Sequence, residues 1–200
     1  MSTLRTSEPR FRRLIDAIAE YVALPSWEIH GERFVAGEVL EALILQESGG
    51  LPAARRYEPH HDAPGRRDSA EDADTPNLDD GLLEDDASYG LMQVLGSNVR
   101  RLVGAHARPC EACGLREPGG LNFGFLLRPL TGMAFGLRVL LEELDLTDGS
   151  WSRSLARYNG GPSGESVQPD GKMRRQIYVD EVERKCVIVR EDRKDAGWIR

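Results

Sequence analysis

The chain has 200 residues, of which 40% are hydrophobic and 30% charged, and it carries a net charge of −7. That length suits one domain with decorated ends and a core of useful size. The acidic balance argues against nucleic acid as a partner, and no apolar run approaches the roughly 18 residues that a membrane-spanning helix needs.

The acid excess is local. A run from Asp68 to Asp86 holds much of it, whereas Arg10-Phe11-Arg12-Arg13 and Lys172-Met173-Arg174-Arg175 are basic. Residues 1–9 are expected to be disordered, and Met1 to Arg10 lacks the apolar stretch of a secretory signal peptide. Phe11, Leu14, Ile15, Ile18, Ala19 and Val22 recur at helical spacing, so a first amphipathic helix should run until Pro25 stops it. Trp27 to Arg33 reads as a connector.

The next segment, Val35 to Ser48, is an apolar helix with Val39, Leu40, Leu43 and Ile44 on its buried face, broken by Gly49-Gly50-Leu51-Pro52. Glu47 falls four residues after Leu43 and three after Ile44, which places it on that same face. The site is awkward for a carboxylate, because it faces apolar neighbours beside the partial negative charge of the helix C-terminus. Both effects should raise its pKa, as a general acid requires. The alternative is a frayed last turn with Glu47 in water.

Ala53 to His61 shows no period and reads as loop, and Asp62 to Asp86 reads as a solvated insertion without a core of its own. Helical spacing resumes at Val99, Leu102 and Val103. A loop with His106, Cys110 and Cys113 follows, and a long helix spans Asn122 to Leu144 with Pro129 as a point of interruption. Trp151, Leu155 and Tyr158 outline a short helix closed by Asn159-Gly160-Gly161-Pro162. Met173, Ile177, Val182 and Val187 outline a last helix, although Val187-Ile188-Val189 also suits a short strand. The tail from Arg190 is polar. This pattern predicts an all-α, α-dominated fold. The corresponding organisation is a leading segment at 1–33, one globular domain at 34–189 with the acidic insertion at 62–86, and a tail at 190–200.

Three cysteines, Cys110, Cys113 and Cys186, fit a reducing site of synthesis better than a disulfide framework. His106, Cys110 and Cys113 have metal-like spacing, with Cys186, His60 or His61 as a fourth ligand. These groups are too scattered for a confident zinc site, and small buried thiols are the commoner outcome. No metal and no cofactor are expected.

Gln46-Glu47-Ser48-Gly49, Gly90-Leu91-Met92-Gln93 and Ala156-Arg157-Tyr158-Asn159-Gly160-Gly161 occur in that order. Together they resemble the three signature motifs of the SLT-type lytic transglycosylases, which share a lysozyme-like fold with goose-type lysozymes. Arg56-Tyr57-Glu58-Pro59-His60 resembles a segment that follows the glutamate in some phage and bacterial members. Pro118, Asn122 and Gly124 resemble the start of the family's long helix. The resemblance covers roughly residues 34 to 185.

The resemblance implies cleavage of the β-1,4 bond between N-acetylmuramic acid and N-acetylglucosamine in peptidoglycan. The glutamate matching Glu47 acts first as acid on the leaving oxygen. It then acts as base toward the sugar's own C6 hydroxyl, giving a 1,6-anhydro product with a single essential carboxylate. It further implies that Ser48, Gly90, Leu91, Met92, Gln93, Tyr158, Asn159 and Tyr178 border the substrate. Ser48 would cap the helix or orient Glu47, Gln93 would bond an acetamido group or backbone, and Leu91 is expected in the core. Tyr178, in Gln176-Ile177-Tyr178-Val179, is a partial match, because many members place Glu-Thr just upstream where this chain has Arg174 and Arg175. Those arginines form a solvated basic face or meet the carboxylates of the peptide stem.

The expected partner is the glycan strand of peptidoglycan, reached without a membrane span. Synthesis in the cytoplasm without a visible signal peptide points to delivery by a phage virion or a secretion machine. Two other readings stand beside the transglycosylase. A lysozyme-type hydrolase would need a water-activating carboxylate such as Asp85, Asp86 or Glu58. A non-catalytic wall-binding or virion module would keep only the fold.

Overall fold

The computed structural model describes residues 9–57, 87–103 and 123–198. The acidic insertion, Glu58, His60, His61, Asp85, Asp86, His106, Cys110, Cys113, Pro118 and Asn122 lie outside these. The helices are α1 (Pro9–Tyr21), α2 (Ala36–Ser48), α3 (Gly96–Val103), α4 (Pro129–Leu146), α5 (Trp151–Gly160) and α6 (Gln176–Asp195). Five short strands intervene: β1 (Trp27–Ile29), β2 (Glu32–Phe34), β3 (Arg55–Tyr57), β4 (Ala87–Tyr89) and β5 (Val94–Leu95). The fold is helix-dominated, as expected. The chain divides into two compact units, Met1–Gly50 with Leu137–Arg200, and Leu51–Gly136.

In the first unit α2 is the central element. Every residue from Gly37 to Ile44 is buried, so α2 is surrounded rather than laid on a core by one stripe. Glu38 accepts a 2.8 Å hydrogen bond from the Val35 N–H, which satisfies one orphan donor of the first turn. At the other end Gly49 is left-handed (φ 62) and returns its N–H to the Leu45 carbonyl at 3.2 Å. That is the αL stop for which glycine carries no Cβ penalty.

α1 packs on α2 through Phe11, Ile15 and Ala19, and α6 packs on α2 through a face that includes Val179, Val182, Cys186 and Val189. Burial of Cys186 pushes its thiol up to about 12, so it stays protonated and inert at neutral pH. Two features depart from the sequence-based expectations, the Trp27–Phe34 segment and the end of α6. Trp27 to Phe34 is not a bare connector but an antiparallel hairpin, with Trp27 paired to Phe34. Trp27 also stacks on Trp151 (centroids 5.8 Å apart), whose Nε1–H donates to the Ser26 carbonyl at 3.2 Å. Val187-Ile188-Val189 is helical, as the first of its two readings has it. And α6 continues to Asp195, through residues that composition alone assigns to a polar tail.

The reason α6 continues is a set of ion pairs with α2. Arg193 Nε donates to Glu41 Oε2 at 2.8 Å and Arg12 Nε donates to Glu41 Oε1 at 3.1 Å, all three side chains being buried. Arg193 also reaches Asp16 (2.9 Å) and the Gly37 carbonyl (3.2 Å). One turn away Arg190 pairs with Glu38 at 2.8 Å and lies 3.6 Å over the Phe34 ring. Burial pushes the Glu41 carboxyl up, and the guanidiniums of Arg193 and Arg12 pull it back without cancelling the rise.

The second unit holds the antiparallel sheet β3-β4-β5, with Arg55 opposite Tyr89 and Tyr89 opposite Val94. Strands of two or three residues carry no readable period, which is why Arg55 to Tyr57 passes for loop in the sequence. A 3-10 turn at Phe123–Leu127 precedes α4, and Pro129 begins that helix rather than interrupting it. Proline is well suited to a first helical turn, where its missing N–H costs nothing. Gly90, between β4 and β5, has φ +74 and abuts the Leu126 carbonyl, leaving no room for a Cβ. Gly90→Ala is therefore expected to cost at least about 2 kcal/mol, read as a lowered thermal midpoint.

Candidate active site

The carboxylate singled out by sequence ends α2, in the first unit. Glu47 is half-buried rather than frayed into water. The Tyr178 hydroxyl, from the first turn of α6, donates a short hydrogen bond to Glu47 Oε1. The Tyr158 phenol, from the last turn of α5, has its pKa raised well above the ordinary value by burial first and then by the negative charge of Glu47. Glu47 thus shares one environment with two tyrosines more than a hundred positions later in sequence, the three coming from three helices. Tyr178 is almost fully buried and Tyr158 half-buried.

The helix ends around Glu47 are held from several sides. Ser48 Oγ donates to the Ile44 carbonyl at 3.0 Å, a bond within its own helix. Lys185 Nζ donates to Gln46 Oε1 at 2.5 Å and so ties α6 to the last turn of α2 a second time. Lys185 follows Tyr178 by seven residues, two helical turns, so the shared face was readable from spacing once Tyr178 was noticed.

At the end of α5, Arg157 pairs with Glu143 of α4 and, at 2.9 Å, with Glu165, which also accepts from Arg153 at 2.7 Å. Burial pushes the Glu165 carboxyl up, but its two arginines bring it below the ordinary carboxylate range. This network holds the turn that carries Tyr158 and Asn159. Sequence reasoning passed over it, because charged residues at these spacings look like any solvated helix face. After Asn159 the chain makes a 3-10 turn at Gly161–Glu165, and Gly164 presses against the Ala156 carbonyl.

Gly90, Leu91, Met92 and Gln93 lie in the second unit and form the turn between β4 and β5. Leu91 and Met92 have no exposed surface, and the Met92 side chain lies against Gly136. Gln93 takes a left-handed conformation (φ 46), and its side-chain amide donates to the Gly90 carbonyl at 2.9 Å and the Ala54 carbonyl at 3.3 Å. Of the two partners considered for Gln93, the backbone is the one engaged.

A helix-dominated domain whose most enclosed helix ends in a half-buried, phenol-bonded glutamate defines a protein of the lysozyme-like class. The chain matches the family model Transglycosylase SLT domain over residues 31–178, well over half its length, and so belongs to the SLT family, whose members are peptidoglycan lytic transglycosylases. Comparison with curated proteins and with solved structures returned no match. The matched span leaves out α1 and all of α6 beyond Tyr178. Among the described residues, no helix is long and apolar enough to cross a membrane.

Proposed function

We propose that this chain is itself a peptidoglycan lytic transglycosylase, with Glu47 as its single acid–base group. The observation that carries the reading is the hydrogen bond from Tyr178 to Glu47 Oε1, with Tyr158 in the same electrostatic environment. A bond to Oε1 helps to orient the carboxyl group toward its substrate.

In the forward half-reaction the protonated Glu47 carboxyl delivers its proton to the glycosidic oxygen as the C1–O bond of N-acetylmuramic acid breaks and positive charge grows at C1. The carboxylate so formed then takes the proton of the C6 hydroxyl of the same sugar as its oxygen closes on C1. No water enters, and the carboxyl group ends as it began, protonated. Tyr158 and Asn159 border the sugar from the end of α5.

Mass spectrometry of sacculus digests tests the reaction. Anhydro-muropeptides are the expected product, whereas reducing-end products would assign a hydrolase and no soluble product would assign a wall-binding module. Tyr178→Phe removes one charge-assisted hydrogen bond, of about 1.5–3 kcal/mol, from the catalytic group. Its kcat is expected to fall roughly ten- to hundredfold with KM little changed, measured on soluble glycan chains.

A further inference from the structure

The segment between the end of α5 and the start of α6 is a small hairpin built on a Val167–Met173 bridge. Gln168 N–H donates to the Lys172 carbonyl at 2.8 Å, and the turn is made by Gly171 (φ +81). It carries Lys172, Arg174 and Arg175, all exposed. Neither Arg174 nor Arg175 forms an ion pair among the described residues.

Acidic groups close in sequence are engaged elsewhere. Glu165 holds Arg153 and Arg157, Asp170 accepts the Lys172 backbone N–H at 3.0 Å, and Asp180 accepts from Gln176 at 2.7 Å. Among the described residues, the two guanidiniums thus keep their donor sets unengaged by any carboxylate.

Arg175 is not a loose surface side chain. Its backbone N–H donates to the Gly164 carbonyl at 3.1 Å. Its Cγ and Nε lie 2.8 Å from where a Cβ on Gly160 would stand. Gly160 has an ordinary φ of −120, and the Arg175 side chain lies across the space that glycine leaves. Gly160 follows Tyr158 and Asn159, and Arg175 precedes Tyr178 by three residues. Both flanks of Arg175 therefore belong to elements that meet Glu47, which puts a guanidinium without an ion pair among the described residues at the rim of the proposed site.

The sugars of a peptidoglycan strand are neutral, and the anionic groups the strand carries are the carboxylates of its stem peptides. We infer that Arg174 and Arg175 form a carboxylate-binding rim that selects glycan strands still bearing stem peptides with free carboxyl groups. A guanidinium offers such a group two parallel N–H donors, a geometry that the Lys172 ammonium cannot supply. This inference rests on the reading of Glu47 as the catalytic group, but its test does not need turnover.

Binding of soluble glycan chains to the Glu47→Gln protein is measured by calorimetry, comparing chains whose stem peptides keep free carboxylates with the same chains after those carboxylates are converted to amides. The chains with free carboxylates are expected to bind about tenfold more tightly, with a gap that narrows as salt rises. Arg174→Gln/Arg175→Gln should close the gap, and Arg175→Lys should close it only in part. Folding of each variant is checked by its thermal midpoint. Equal binding of the two chain types by the parent protein, or a gap that survives in the double variant, overturns the inference. So does tighter binding of a phosphate-rich wall polymer that competes with the stem-bearing chains. Failure of the wild-type protein to cut either chain would remove the catalytic reading while leaving this comparison intact.

Discussion

Glu47→Gln is expected to lower release of soluble muropeptides from sacculi by at least about 10²–10⁴-fold, the range that general acid–base catalysis contributes. The substitution keeps the size of the side chain and an oxygen to accept the Tyr178 hydroxyl, but no carboxyl proton can be given or taken back. Glu47 is half-buried and its bond to Tyr178 survives, so the thermal midpoint should stay within about 2 °C of wild type. Activity retained to within tenfold would move the acid elsewhere. A collapse in stability would mean that Glu47 is a structural group.

The second large effect falls six residues earlier on the same helix. Glu41 is fully buried between Arg12 and Arg193, and its removal leaves two guanidiniums enclosed without their counter-charge. Glu41→Ala is expected to cost about 3–5 kcal/mol, a fall of roughly 10 °C in thermal midpoint. Replacing all three members with apolar residues of similar volume is expected to be neutral or stabilising, because the desolvation of three charges disappears with them.

The pair also has a pH signature. Burial holds the Glu41 carboxyl above its ordinary range. The folded chain therefore binds its proton more tightly than the unfolded chain, and this group's contribution to stability declines as pH rises from about 4 through the folded-state value. The apolar triple variant should lose that slope in denaturation measured across pH. A triple variant much less stable than wild type would show that the cluster contributes more than it costs.

These two glutamates show what burial alone does not decide. Glu41 is the more enclosed and burial raises its pKa, which in isolation fits a catalytic acid. Its oxygens, however, are both taken by arginines, and none of its surface is exposed. Glu47 has some exposed surface and accepts a hydrogen bond from the Tyr178 phenol. In the proposed reading, reach and partner chemistry separate the working carboxyl group from the structural one.

Much of this was legible in the sequence because it is local. The period of Leu40, Leu43 and Ile44, the break at Gly49-Gly50 and the stop at Gly160-Gly161 are written within a few residues, and the structure ends α2 at Ser48 and α5 at Gly160. Glu47 was readable as a carboxylate on an apolar face for the same reason, and the order of the three motifs carried the family. Tertiary structure decided the rest. Glu38 and Glu41 meet partners as much as 152 residues away, and Tyr178 meets Glu47 across 131. No spacing rule reports a contact of that range. The residues from Arg190 onward read as a solvated tail because their charges have no local partner. They are helix because two of their arginines satisfy carboxylates buried on α2. The strands at Trp27–Phe34 and Arg55–Tyr57 are too short to show a period and exist through their pairing. Sequence placed the acid at the end of its helix; only the packing of α5 and α6 brought two tyrosines to it, because hydrogen bonds and desolvation act through space, not along the chain.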